Sequence, residues 1–219
     1  MSDYQFYEWQ TIDRPLTAAE QAEAEALSSH IAVTSTRAWV EYHWGGFRHD
    51  PLEVLARYFD AFLYYAGWGD QRLAFRFPAG LLREAELQPY LRECCVELTP
   101  MGDCVVLHMA FPHRSAEDVF AQRGDLAALT PLRDDILRGD YRCLYLAWLL
   151  AAEDSEHSER ELEPPVPAGL GELSPALVEF CDFFVLDEAL VRVAAEASPP
   201  QQPAGGFPLE QALARLQAE

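Results

Sequence analysis

AWVEYHWGGFRHDPLEVLARYFDAFLYYAGWGDQRLAFRF, residues 38–77, is the stretch on which the fold assignment turns. Ala38, Val40, Tyr42 and Trp44 alternate with Trp39, Glu41 and His43, the period-two pattern of a strand. Gly45 and Gly46 break it. Asp50 followed by Pro51 is a helix start: a carboxylate accepts a free backbone N–H, and proline occupies a position that needs no donor. Leu52, Leu55, Phe59, Phe62 and Ala66 recur at helical spacing, so one helix is predicted up to residue 66, closed by Gly67 and Gly69. Glu53 and Arg57 on its polar side are spaced for an i,i+4 ion pair. Residues 71–77 return to period two with Leu73, Phe75 and Phe77 facing inward. The reading is strand, turn, aromatic helix, turn, strand.

Upstream, residues 4–11 read as a strand with aromatics on both faces, Tyr4 and Phe6 on one and Tyr7 and Trp9 on the other. Such a strand is either central and covered twice, or bulged. Thr17 and Glu20 form a capping box that opens a surface helix over 18–27, with a thin stripe of Leu16, Ala19, Ala22 and Ala26. Residues 31–36 are a β-prone approach to the strand at 38–44. Downstream, 78–92 is irregular and helical. A hairpin follows, 94–98 with 104–111, turning at Pro100-Met101-Gly102-Asp103. Its patterning demands an even-length turn, and a four-residue loop sets Cys95 opposite His108. Helices are predicted over 126–137 and 141–152.

Residues 153–170 are acidic and then proline-rich and read as a linker. A helical hairpin follows over 171–197, with Ser174 and Pro175 as its cap and first helical residue. Residues 198–206 form a second linker. A short amphipathic helix over 207–219 carries Leu209, Leu213 and Leu216 on one face, a pattern suited to docking in a groove. The α+β core domain is thus placed at 1–152, with a mixed or mostly antiparallel sheet of about five strands, a common sheet size.

Composition narrows the chemistry. The chain has 219 residues and a formal charge of −20, and all 16 of its basic residues are arginine. With no lysine, Schiff-base chemistry and a phosphate-cradling P-loop lysine are impossible. The acidic balance argues against binding the nucleic-acid backbone or an anionic membrane surface, and it favours a protein partner, possibly a basic one. The N-terminus has neither the basic region nor the apolar run of a secretory signal, so a cytoplasmic location is expected. Five cysteines without a CxxC pair read as reduced thiols.

Three constellations are candidates for chemistry. A Cys95 thiol beside the His108 imidazole would be an activated nucleophile. His43, Arg48, His49 and Asp50 flank the Gly45-Gly46 turn at a strand end and a helix N-terminus, where an anion could meet free N–H groups; the competing reading is that Asp50 simply caps its own helix. Cys95, Cys104, His108 and His113 are ligand types suited to zinc, but they lack the short, turned spacing of a zinc site, so neither a metal nor a cofactor is expected.

The segments YQFYEWQTIDRPLT (4–17), EYHWGGFRHDP (41–51) and EPPVPAGLGELSPALVEFCDFF (163–184) resemble an uncharacterised bacterial protein family. That resemblance implies a bacterial cytosolic origin and transfers no catalytic residue. The function expected is therefore non-enzymatic: an acidic protein–protein interaction or accessory subunit, with Leu209, Leu213 and Leu216 as candidate contacts. The alternatives are a small cytosolic enzyme with its site at the Gly45-Asp50 turn or at Cys95/His108, and a nucleic-acid-mimicking inhibitor.

Overall fold

The computed structural model describes residues 4–93, 95–112, 124–153 and 162–200. Its strands are β1 Gln5–Gln10, β2 Ala32–Val33, β3 Arg37–Tyr42, β4 Ala61–Ala66, β5 Gln71–Pro78, β6 Val96–Met101 and β7 Cys104–Phe111. They form one seven-stranded sheet in the order β2-β3-β1-β4-β5-β7-β6, and every pairing is antiparallel. The helices are α1 Ala18–Glu25, α2 Pro51–Tyr58, α3 Glu84–Leu87, α4 Leu126–Leu129, α5 Pro131–Arg138, α6 Arg142–Glu153, α7 Pro175–Phe183 and α8 Glu188–Ala197. The class is α+β, as the sequence implies.

Seven strands replace the expected five because residues 59–66 are not helical. α2 stops at Tyr58, and Phe59 is already extended at φ −126°. Ala61–Ala66 is then the middle strand of the sheet, buried at every position. Ala61, Leu63 and Tyr65 enter one core, and Phe62, Tyr64 and Ala66 the other. A strand covered on both faces needs no alternation, so its apolar run also satisfies a helical template. β1 is the same kind of element: its aromatics on two faces mark a strand covered twice, without a bulge. The other added strand, β2, is a two-residue edge.

The two cores divide the work. On one face, β1, β4, β5 and β7 pack against α3 to α8 through residues such as Phe75, Phe111, Leu144, Phe180 and Phe184. On the other, α2 sits over Trp9, Val40, Phe62 and Val106, with Leu55 and Phe59 wholly buried. The expected linker stretch contributes as well: Pro164 is buried, and the Pro165 carbonyl accepts from the Tyr90 hydroxyl at 2.8 Å.

Several local expectations change. The Thr17–Glu20 capping box is present, but α1 buries Ala24 rather than the stripe at Ala19, Ala22 and Ala26. Arg57 pairs with Glu23 of α1 at 2.7 Å rather than with Glu53, which joins the two helices of that face. Thr130-Pro131 divides the helix expected over 126–137, since proline has no N–H to continue it. β3 ends at Tyr42, so Trp44 leaves the sheet and is 83% exposed.

Asp60, between α2 and β4, is 1% exposed and still charged. Its carboxylate accepts from the backbone N–H groups of Ile12 (2.6 Å) and Asp13 (2.9 Å) and pairs with Arg76. Arg133 of α5 donates to the Arg76 carbonyl at 2.8 Å and forks onto Asp13 at 2.8 and 2.9 Å. Burial works against the Asp60 charge, but Arg76 and the two N–H donors outweigh it and hold the carboxyl below its usual range. A lowered folded value means that this stabilisation is present above the unfolded value of about 4 and is lost as pH falls below it. Asp60→Ala, which strands Arg76 and two donors, is expected to lower the stability measured by urea unfolding by about 3 kcal/mol. Asp60→Asn should flatten the acid limb of the stability curve below about pH 4.

Candidate functional site

Gln5 ties the Gly45-Gly46 turn to the sheet. Its amide donates to the Gly45 carbonyl at 2.5 Å, and its Oε1 accepts from the Tyr7 hydroxyl at 2.6 Å, with the Tyr64 hydroxyl at 3.5 Å. Burial raises the pKa of both phenols, so they stay protonated and available as donors. Gly45 has φ +74°, and a side chain at Gly46 would crowd the Gln5 amide at 3.3 Å, which explains the glycine pair. Phe47 then drops onto Trp9 and Tyr7, with ring centroids at 5.2 and 5.6 Å.

The histidines flanking this turn are not brought together. His43 packs on Tyr4, which belongs to the α3–α8 core, whereas His49 packs on Phe47 beside the opposite core. Asp50 caps α2, its Oδ1 accepting from Leu52 N–H at 2.8 Å, so the helix N-terminus is occupied by its own carboxylate. Arg48 instead lines a cleft of about 500 Å³, together with Ser28, Ser29, His30, Tyr42 and Trp44. Sequence reasoning missed that cleft because its walls are far apart in the chain: Tyr42 meets Ser28 at 2.8 Å beyond α1. The Trp44-Gly45-Gly46 run at a strand end is the signal that could have found it.

The Cys95/His108 pair does not form. The hairpin turns through two residues, Gly102 (φ +69°) and Asp103, rather than four, which sets Glu97 opposite His108. A slip of two preserves facing, so the even-length expectation is met while the partner changes. Cys95 packs against the core containing Leu107 and Met109, whereas His108, one position along, faces the other side of the sheet. Cys104 is buried, with its Sγ 3.1 Å from the Met101 carbonyl. His113 lies outside the described residues, and among those described no cluster of three or more His, Cys, Asp and Glu could hold a metal.

A third surface lies on α7 and α8, the helical hairpin. Leu177, Phe180 and Phe183 point into the core, while Val178 and Val193 face solvent at 45% and 62% exposure. Between the helices runs a groove of about 380 Å³ lined by the apolar Leu173, Val178, Leu186 and Val191 and by the charged Asp182, Glu188 and Arg192. Residues 172–197 carry six carboxylates (Glu172, Glu179, Asp182, Asp187, Glu188, Glu196) and a single arginine, Arg192. The expected tail contacts Leu209, Leu213 and Leu216 lie outside the described residues. No helix among the described residues is long and apolar enough to cross a membrane.

No family model, curated protein or solved structure matches this chain.

His108 yields a prediction about the sheet's second face. Burial, and then the nearby Arg72 cation, lower its pKa to about 4, opposed weakly by Asp70 and Asp50, and its Nε2 has no hydrogen-bond partner among the described residues. A depressed histidine is neutral in the fold but protonates in the unfolded chain below about 6.5, so its contribution falls away as pH drops from 6.5 towards 4. Proton NMR should find the His108 ring titrating near pH 4, and His108→Leu should reduce the loss of stability between pH 6.5 and 4. A ring titrating near 6.5 would mean that this face is wet.

Proposed function

We propose that the chain is a non-enzymatic accessory protein that docks a basic, amphipathic helical segment of a partner protein in the α7–α8 groove. The observation that carries this reading is an apolar groove, with the half-exposed Val178 in its lining, on a hairpin whose carboxylates outnumber its arginine six to one. A groove of apolar floor and charged edge suits a helix that presents leucines at i, i+3 and i+7 with cations flanking them. Six carboxylates against one arginine select a basic segment over an acidic one. The groove's inner side is anchored by Phe180, Phe183 and Phe184 in the main core, so the binding face is pre-formed and little ordering is needed on association. A cytoplasmic setting fits the same reading.

The test uses a synthetic amphipathic helix with leucine on one face and lysine on the other, and a counterpart with glutamate for lysine. The lysine peptide is expected to bind the full chain at least about tenfold more tightly than its counterpart, with affinity that falls as salt rises. Val178→Glu should abolish that preference without altering the circular dichroism, because the side chain is exposed, whereas Val193→Glu, outside the groove lining, should leave it unchanged. Equal binding of the two peptides would contradict the proposal. Removing residues 201–219 should leave the affinity unchanged; a large gain would mean that Leu209, Leu213 and Leu216 fill the groove in the intact chain.

A further inference from the structure

The cleft on the other side of the molecule belongs to no part of that reading, and its chemistry is different. It lies between the end of α1 and the 42–48 segment, with a volume in the range of small-molecule sites. The chain holds 36 acidic residues, yet none of the cleft's lining residues is a carboxylate. Arg48 stands in it without an ion pair among the described residues, whereas Arg14, Arg37, Arg57, Arg72, Arg76 and Arg142 are each bound to Asp or Glu. In so acidic a chain, an arginine that lines a cleft without contacting a carboxylate among the described residues is a cation available to a ligand.

The second element is Trp44. Its indole is 83% exposed although the residue falls in an alternating apolar pattern that could have carried it inward. The end of β3 at Tyr42 and the left-handed backbone of Gly45 turn it outward over the cleft. The turn is rigid: Gln5 holds the Gly45 carbonyl, and Phe47 is seated on Trp9. The far wall is ordered too, since Ser28 meets the Tyr42 hydroxyl at 2.8 Å and the His30 ring stands edge-on to Tyr42 at 6.3 Å. A flat aromatic face and a guanidinium without a carboxylate partner among the described residues thus share one cavity.

From this juxtaposition we infer a binding site for a planar aromatic ring that carries an anionic group, the ring stacking on Trp44 and the anion meeting Arg48. Arginine suits carboxylate or phosphate because its planar donors match two oxygens at once. The excess negative charge elsewhere on the chain is screened beyond about 8 Å at physiological salt, so the local lining decides the sign of the ligand.

Calorimetric titration of the full chain with naphthoate and with adenosine monophosphate tests the site and separates carboxylate from phosphate. Saturable binding with a dissociation constant of about 1 mM or tighter is expected for at least one of them. Arg48→Gln and Trp44→Ala should each weaken it about tenfold; both residues are exposed, so both variants should keep the parent unfolding curve. Val178→Glu with Val193→Glu should leave it unchanged, which keeps this test independent of the α7–α8 groove. Failure of both ligands to bind, binding that neither cleft variant weakens, or equal binding of acetate without a ring would each overturn the assignment.

Discussion

The structure depends on one buried charge. Asp60 stands where the chain leaves α2 and enters β4, and its carboxylate holds together the end of β1, the start of β4 and the β5 side chain Arg76. It fixes the point at which the chain passes from helix to strand, ahead of an apolar run whose spacing also fits a helix. A charge buried to this degree is tolerated because every oxygen has a donor, and the same donors impose a direction on the chain. Arg133 then extends the network to α5 by binding Asp13 and the Arg76 carbonyl, so the clamp joins the sheet to the helices of its larger face.

What was readable in the sequence follows from which signals have a period. The caps at Thr17, Asp50 and Ser174 stand where a side-chain oxygen coincides with a capping-box glutamate or a following proline. β5 shows the period in sequence because the charged Arg72 and Arg76 interrupt its inward set of Leu73, Phe75 and Phe77. β4 does not alternate, for both its faces are dry, and its apolar positions match a helix by coincidence. Only the break at Phe59-Asp60, a charged residue inside an apolar run, hinted at the change of element. The hairpin shows a different limit. Patterning does not determine whether the turn has two residues or four or where the strand begins: Glu97 meets His108, and Cys95, just before β6, packs on the other face.

The functional surfaces were harder to read for a related reason. The α7–α8 hairpin is apparent as helices, yet the value of Val178 depends on its standing outside the buried stripe, which is a property of packing. The Trp44 cleft is assembled from residues 28–30 and 42–48, and nothing local marks the first group as a wall. In the sequence Trp44 reads as one more core aromatic; in the fold it is the most exposed large apolar side chain of its loop.

Two unlike surfaces lie on opposite sides of one sheet: an apolar groove on the carboxylate-rich α7 and α8, and a cleft beside β3 with no carboxylate in its described lining. Amide hydrogen exchange across the whole chain, with and without the leucine–lysine peptide, tests that division most directly. Slowed exchange confined to residues 170–197, with 42–48 unchanged, is the predicted result. Slowing centred on 42–48, or no local slowing at saturating peptide, would contradict it.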